Sequence, residues 1–198
     1  MHPLSNVYLW EGFRFLLDQT FGHYRKRIGM LHQMGFTGKE SMLDVGCGTG
    51  HYAEMTQGSY LGLDLDPKYI EFARRRHPNK EFSCMNVAEL KLDGKKYDIT
   101  LIVDVIHHLS ANDAKNLFRE LTRVTSQRIY FFEIIIPKPT NYIGRWMVAN
   151  DRGHFVRSRQ DLTALIGESF KLHDVRDLRL GPWESTCIAA QPLEKSGR

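Results

Sequence analysis

Between Leu4 and Met34 apolar residues recur at three- and four-residue steps: Leu9, Phe13, Leu16 and Leu17, then Phe21, Ile28 and Leu31. That spacing predicts amphipathic helix, with Gly22 dividing it in two and Gly35 ending the second piece. After residue 40 the period changes. Short apolar runs at Met42–Val45, Tyr60–Leu65, Glu81–Met85, Tyr97–Ile106 and Arg128–Ile136 read as strands, the last two as strands buried on both faces. Between them lie a short predicted helix at His51–Gln57, a helix opened by Asp66-Pro67 and stopped by Pro78, and one opened by Ser110-Ala-Asn-Asp113 with Leu117, Leu121 and Val124 as its apolar stripe. Residues 137–157 read as irregular or short helical pieces, because Pro137, Pro139, Gly144 and Gly153 interrupt them. A helix from Ser158-Arg-Gln-Asp161 to about Gly167 precedes two closing strands, Phe170–Leu180 and Ser185–Leu193, joined as a hairpin at Gly181-Pro182. Strands alternating with helices predict an α/β sheet.

Composition adds bounds rather than detail. The 198 residues suit a single domain, with 1–37 as an N-terminal helical cap, 41–193 as the core and 137–157 as a substrate-side connection. Hydrophobic residues at 42% and charged residues at 25% are ordinary for a soluble globular chain. A net charge of +4 permits anionic partners without requiring them. Three scattered cysteines, Cys47, Cys84 and Cys187, form no CxxC pair, which argues against a disulfide framework or zinc site and for a reducing, cytoplasmic setting. No signal-peptide pattern is visible, and no apolar run is long enough to span a bilayer.

The chemistry concentrates at strand ends. Ser41-Met-Leu-Asp-Val-Gly-Cys-Gly-Thr-Gly50 is a strand, a carboxylate and three alternating glycines. Such a turn lets a ligand approach the backbone closely. The spacing is not the Gly-x-Gly-x-x-Gly of dinucleotide enzymes, and Asp44 would repel a pyrophosphate but suit a cationic ligand. Asp64 ends the next strand eighteen residues beyond Gly46, where an acid can accept both hydroxyls of a ribose. Asn86 and Val87 follow the third strand as an amide and an apolar residue fit for a purine, or as a plain strand exit. Asp104 breaks the fourth apolar run near its carboxyl end, and Glu133 is the single charge in the fifth. The basic segment Tyr24-Arg-Lys-Arg27 reads either as a solvated helix face or as an aromatic or an arginine closing over the site and pairing with a carboxylate.

Together these features resemble the class I S-adenosylmethionine-dependent methyltransferases, particularly their small-molecule branch. Leu43-Asp-Val-Gly-Cys-Gly-Thr-Gly50 is similar to the family's first motif, Gly62-Leu-Asp-Leu-Asp-Pro67 to its ribose motif, Asn86-Val-Ala-Glu-Leu90 to its adenine segment, and Tyr97 to Leu109 to its fourth strand and turn. Two departures stand out: Asn86 where the family often has Asp, and Thr125-Ser-Gln-Arg128 where it usually has a Lys-Pro-Gly-Gly-like turn. The resemblance implies a doubly wound, mostly parallel seven-stranded sheet in the order 3-2-1-4-5-7-6, with the last strand antiparallel and helices on both faces. It implies S-adenosyl-L-methionine as cofactor and S-adenosyl-L-homocysteine as product. Asp44, Gly46, Gly48 and Gly50 would shape the methionine end, Asp64 would hold the ribose, Asn86 and Val87 would bind the adenine, Asp104 would face the methionine part, and Cys47 and Leu65 would also touch the cofactor.

The function implied is methyl transfer to an O, N or C nucleophile of a small molecule. The competing readings are an idle cofactor-binding or interaction module and a nicotinamide-dependent oxidoreductase. The chain lacks the motifs of adenine-N6, cytosine-C5 and arginine methyltransferases, and no RNA-binding module is visible, so nucleic acid is disfavoured as acceptor. Trp146 and Phe155, interleaved among Arg145, Arg152 and Arg157, suggest an anionic or aromatic acceptor. His107, His108 and His154 are candidate general bases, with Glu133 behind them, since histidine titrates near neutrality. A packed His107 or His108 beside an exposed neighbour is the structural alternative. Adjacent histidines do not form a metal site.

Overall fold

β1 (Met42–Val45) is paired on both edges, and Met42, Leu43 and Val45 are fully buried in the clusters packed on the two faces of the sheet. β2 (Tyr60–Asp64) lies parallel on one side and β4 (Tyr97–Val103) parallel on the other. β3 (Glu81–Cys84) extends the sheet beyond β2, and β5 (Thr125–Ile134) beyond β4, again parallel. β7 (Trp183–Pro192) then inserts antiparallel between β5 and β6 (Phe170–Leu180). The order is β3-β2-β1-β4-β5-β7-β6, as expected. The computed structural model describes residues 7–193 apart from 88, 89, 91, 93 and 152. The first residues of the expected cap, Ala88 and Glu89 of the expected adenine segment, and Arg152 therefore lie outside the described residues.

Six helices flank the sheet among the described residues: α1 (Val7–Phe21), α2 (His23–Gln33), α3 (Pro67–Arg76), α4 (Ala111–Val124), α5 (Tyr142–Ala149) and α6 (Arg159–Gly167). Their caps follow the sequence. Gly22 takes the left-handed φ of +67° between α1 and α2. The side chains of Asp66, Ser110, Asn141 and Ser158 accept the N–H groups that open α3, α4, α5 and α6. Ala114, Leu117, Phe118, Leu121 and Val124 turn one face of α4 to the sheet, where Phe118, Phe131 and Phe170 pack edge to face or tilted with centroids 5.4–5.7 Å apart. Each fully buried side chain of this size contributes about 1.5–3 kcal/mol. No helix among the described residues is long and apolar enough to cross a membrane.

Four local readings are corrected. First, His51–Gln57 is not an α-helix. Ala53 and Met55 bond back three residues, to Gly50 and Tyr52, so only a 3₁₀ turn at Ala53–Met55 forms. A single such turn lacks the aligned peptides of an anion-binding helix end. Second, β4 stops at Val103, not Ile106. Asp104 adopts φ +55° and its N–H goes to Phe132 O, which swings the chain out of the strand and into a 3₁₀ turn at Ile106–His108. Third, β5 begins at Thr125, not Arg128. Thr125 pairs with Tyr97, and its hydroxyl meets that of Thr100 at 2.6 Å, so the departure from the usual turn is absorbed into the strand. Fourth, the apolar spacing of α1 does not define one buried face: Val7 is buried and Leu17 half-buried, but Leu9 and Leu16 are exposed, while Glu11 and Arg14 reach the glycine turn.

Candidate functional site

The glycine turn leaves β1 at the carboxyl edge of the sheet. Gly46 N–H and Cys47 N–H both donate to Leu63 O, at 2.7 and 2.9 Å, which ties the turn to β2. Gly46 has φ +76°, and a Cβ there would collide with Val105. Only glycine lets the two strand ends meet at that point. Gly48 and Gly50 also have positive φ. The Cys47 side chain is buried, and burial raises its thiol well above the ordinary range. Its contribution to the turn is therefore through the backbone.

Asp64 closes the turn from β2. One carboxylate oxygen accepts Gly48 N–H at 2.8 Å and the other Asp66 N–H at 2.9 Å. Burial raises its pKa despite those bonds. Leu65 beside it is exposed. Asp44 lies beneath the turn rather than on its open side: it is buried, and one oxygen accepts the Tyr60 hydroxyl at 2.8 Å. Burial lifts its pKa to about 7, opposed by the Tyr60 hydrogen bond. A folded-state pKa raised above the unfolded 3.8 stabilises the fold below pH 4, and that contribution is lost as pH rises through about 7. The ligand-free protein should thus lose stability between pH 4 and 7, on the order of 4 kcal/mol from this group. Urea titrations across that range check it; Asp44→Asn should flatten the slope, and an unchanged slope would reject the assignment.

The N-terminal helices lie over this turn. Arg14 of α1 donates to the Thr49 hydroxyl at 3.2 Å, Thr49 donates to Glu11 at 2.5 Å, and Glu11 in turn pairs with Arg76 at 2.7 Å. From α2, Arg27 reaches Asp104 at 2.6 Å and the Tyr52 hydroxyl at 3.4 Å. Burial disfavours the guanidinium charge, but Asp104 more than restores it. Tyr24 packs on His51 and Tyr52, with centroids at 4.3 and 5.5 Å. Burial, then the neighbouring arginines, push His51 down to about 3, so it stays neutral. Of the two readings of Tyr24–Arg27, the structure has the arginine paired with a carboxylate. Asp104 Oδ1 and Arg27 Nε are buried with no hydrogen-bond partner among the described residues. A buried acceptor and a buried donor, side by side at the head of the turn, fit the ammonium and carboxylate of an amino-acid end.

A second cluster stands on β5. Glu133, fully buried, accepts Val105 N–H at 2.8 Å and Ile106 N–H at 2.7 Å with one oxygen, and contacts His107 Nδ1 at 2.9 Å with the other. His107 Nε2 lies 3.5 Å from Asp151. Burial works against the charged imidazole, but the Glu133 hydrogen bond and charge, with Asp104 and Asp151 beyond, carry its pKa above the ordinary value. Residues 153–157 strap over this turn: Phe155 N–H donates to His107 O, and Arg157 donates to Ile106 O and Leu109 O. His107 is buried and His108 exposed, matching the structural alternative for the pair. His154 is exposed on the strap. Asn86 and Val87 are half-buried just past β3.

Functional residues that the sequence does not single out include Glu11, Arg14, Tyr52, Tyr60 and Asp151. Asp151 is signalled only by its place two residues before Gly153, which packs against His107. Among the described residues no three His, Cys, Asp or Glu converge as metal ligands. Beyond Glu133, a cavity of about 790 Å³ opens between the 135–143 segment and the ends of β6 and β7. Ile135, Ile136, Ile143 and Leu178 make its apolar wall. Lys138 and Arg179 line it, as does the Arg159–Asp177 ion pair. Ser185 Oγ, buried there, has no partner among the described residues.

Residues 42–128 match the family model described as a methyltransferase domain. Among curated relatives, the phthiotriol/phenolphthiotriol dimycocerosates methyltransferase of Mycobacterium leprae is 27% identical over 173 residues, covering 79% of this chain and 63% of that protein. A malonyl-[acyl-carrier protein] O-methyltransferase of Acetivibrio thermocellus is 36% identical over 67 residues, 30% of this chain and 23% of that one. The chain thus spans under two thirds of the length of either relative. Among solved structures, the PH0226 protein of Pyrococcus horikoshii superposes with a TM-score of 0.68 at 19% identity, over 86% of this chain and 91% of that one. The magnesium protoporphyrin IX methyltransferase of Synechocystis, solved with bound SAM, gives 0.63 at 19% identity over 87% and 78%. These likenesses establish the fold.

Proposed function

We propose, from the match of residues 42–128 to a methyltransferase-domain model and from the Rossmann-like fold, that this chain transfers a methyl group from S-adenosylmethionine to a small molecule. When bound, the cofactor supplies a methyl group already activated by its sulfonium. The observation that carries the reading is the unmatched pair at Asp104 and Arg27 beside a glycine turn whose acidic neighbour, Asp64, ends the next strand. Asp104 and Arg27 would hold the amino-acid end. Asp64 would accept the ribose hydroxyls, and exposed Leu65 with Val87 would pack on the adenine beside the Asn86 amide. α1 and α2 would exclude water from above through Arg14, Tyr24 and Arg27. Positioning of this kind can supply roughly 7–11 kcal/mol of barrier lowering.

The acceptor would enter the 790 Å³ cavity, whose apolar wall and cationic Lys138 and Arg179 suit a molecule with an apolar body and an anionic group. His154, exposed on the strap, would take the acceptor's proton. His107, held between two carboxylates, would instead order the strap.

A thermal-shift measurement tests the cofactor assignment. S-adenosylhomocysteine at about a hundred times its Kd should add about 2.7 kcal/mol, roughly 5–10 °C for a chain of this length. NAD should add nothing. Stabilisation by NAD alone would reject the proposal.

A further inference from the structure

α1 is inverted. Its polar residues Glu11 and Arg14 hold Thr49 of the glycine turn, and Asp18 accepts Tyr24 N–H. The opposite face carries Tyr8, Leu9, Phe15 and Leu16, all large, apolar and exposed, Phe15 at 67% and Leu16 at 60%. The positions 8, 9, 12, 15 and 16 follow the helical repeat, so they form one continuous stripe, with exposed Gly12 in its middle. α5 repeats the arrangement. Tyr142, Ile143 and Trp146, at 79%, 67% and 68% exposure, line its outer face, while Gly144 packs inward on Pro182 O.

The C-terminal end of α1 and the N-terminal end of α5 meet one turn of the sheet. Phe21, the last residue of α1, packs on Gly181 and meets Trp183 edge to face with centroids 6.5 Å apart. Asn141, the cap of α5, donates to Pro182 O at 2.8 Å. Cations stand on the elements that meet this turn. Arg179 Nε donates to Gly181 O, Lys26 packs beside Gly22, and Arg25, Arg145 and Lys138 are exposed nearby in the chain. The nearby acids are engaged: Asp18 by Tyr24 N–H, Glu184 by Asn141 and Lys138 N–H, and Asp177 by Arg159.

We propose that the outer faces of α1 and α5 seat this protein on an anionic lipid surface. Apolar side chains enter the acyl boundary, tyrosine and tryptophan lie at the headgroup level, and the flanking cations meet anionic headgroups. Neither face carries a carboxylate that such a surface would repel. Helices of fifteen and eight residues lie on the bilayer rather than crossing it. The inference does not depend on methyl transfer.

Co-sedimentation with vesicles of phosphatidylcholine containing phosphatidylglycerol tests it, with pure phosphatidylcholine vesicles alongside. The intact chain should pellet with the anionic vesicles, release as salt rises, and shift tryptophan emission to the blue. Phe15→Ser with Leu16→Ser, and separately Trp146→Ser, should each weaken partition about tenfold or more. Arg25→Glu with Lys26→Glu should do the same for anionic vesicles only. Melting temperatures near that of the parent confirm that the variants fold. Failure of the parent chain to pellet with anionic vesicles would overturn the proposal. So would partition indifferent to the apolar variants, or a stable homodimer in solution that those variants dissociate.

Discussion

Replacing Glu133 with alanine should cost about 3–5 kcal/mol of folding stability, the largest loss expected from a single side chain here. The carboxylate is almost wholly buried and serves three partners: two backbone N–H groups and the His107 imidazole. Removing it strands both N–H donors where water cannot replace them, and strips a raised-pKa histidine of its main counter-charge. Glu133→Gln keeps the volume and one acceptor oxygen. It should lose less, but its amide cannot support a charged His107. In that variant the His107 titration, followed by NMR, should move down in pH. Since a raised histidine pKa stabilises the fold at low pH and loses that effect as pH rises through it, Glu133→Gln should suffer most in acid. Urea melts at pH 5 and 8 distinguish these outcomes. An alanine variant within about 1 kcal/mol of the parent would show that the turn Asp104–His108 holds itself.

Asp64→Ala should weaken S-adenosylhomocysteine binding about 10- to 150-fold. A hydrogen bond to a charged acceptor is worth about 1.5–3 kcal/mol, and a ribose would use at least one. The same change removes the bonds from Gly48 and Asp66, so the apo protein should also lose about 1–3 kcal/mol. Calorimetric titration separates the two effects, because the ligand term appears in Kd at a temperature where both proteins are folded. Affinity within about threefold of the parent would remove Asp64 from the site.

Much of the sheet could be read from local pattern. The Met42–Val45 run before three glycines, the Asp66-Pro67 cap and the Gly181-Pro182 turn each carry their own backbone chemistry, and each holds in the structure. The errors arise where tertiary contacts decide. Asp104 interrupts the apolar run Tyr97–Ile106, but a lone acid does not by itself end a strand; the end at Val103 is set by the left-handed backbone of Asp104 and by Glu133, twenty-nine residues later in the chain. The spacing in α1 marks an amphipathic helix but not which face turns inward; that is set by Glu11 and Arg14, whose partners lie on the glycine turn. Asp44, Asp64 and Asp104 were visible as acids at strand ends. What was not visible is that Asp44 faces inward to Tyr60 while Asp104 faces Arg27. A carboxylate's direction depends on which neighbouring strand or helix supplies its partner, and that pairing is non-local.

The position of β7 has a consequence for the order in which the molecule is made. β7 is last of the seven strands in the chain, yet it lies between β5 and β6. Until it is synthesised, β5 carries an open row of hydrogen-bonding groups along a hydrophobic strand, and β6 has no neighbour at all. On the ribosome, the half of the sheet that binds the glycine turn can assemble from β1 to β4, while the other half waits for its final strand. A nascent chain halted after β6 should therefore be a poor folder and a good chaperone client, although every residue of the glycine turn has already emerged.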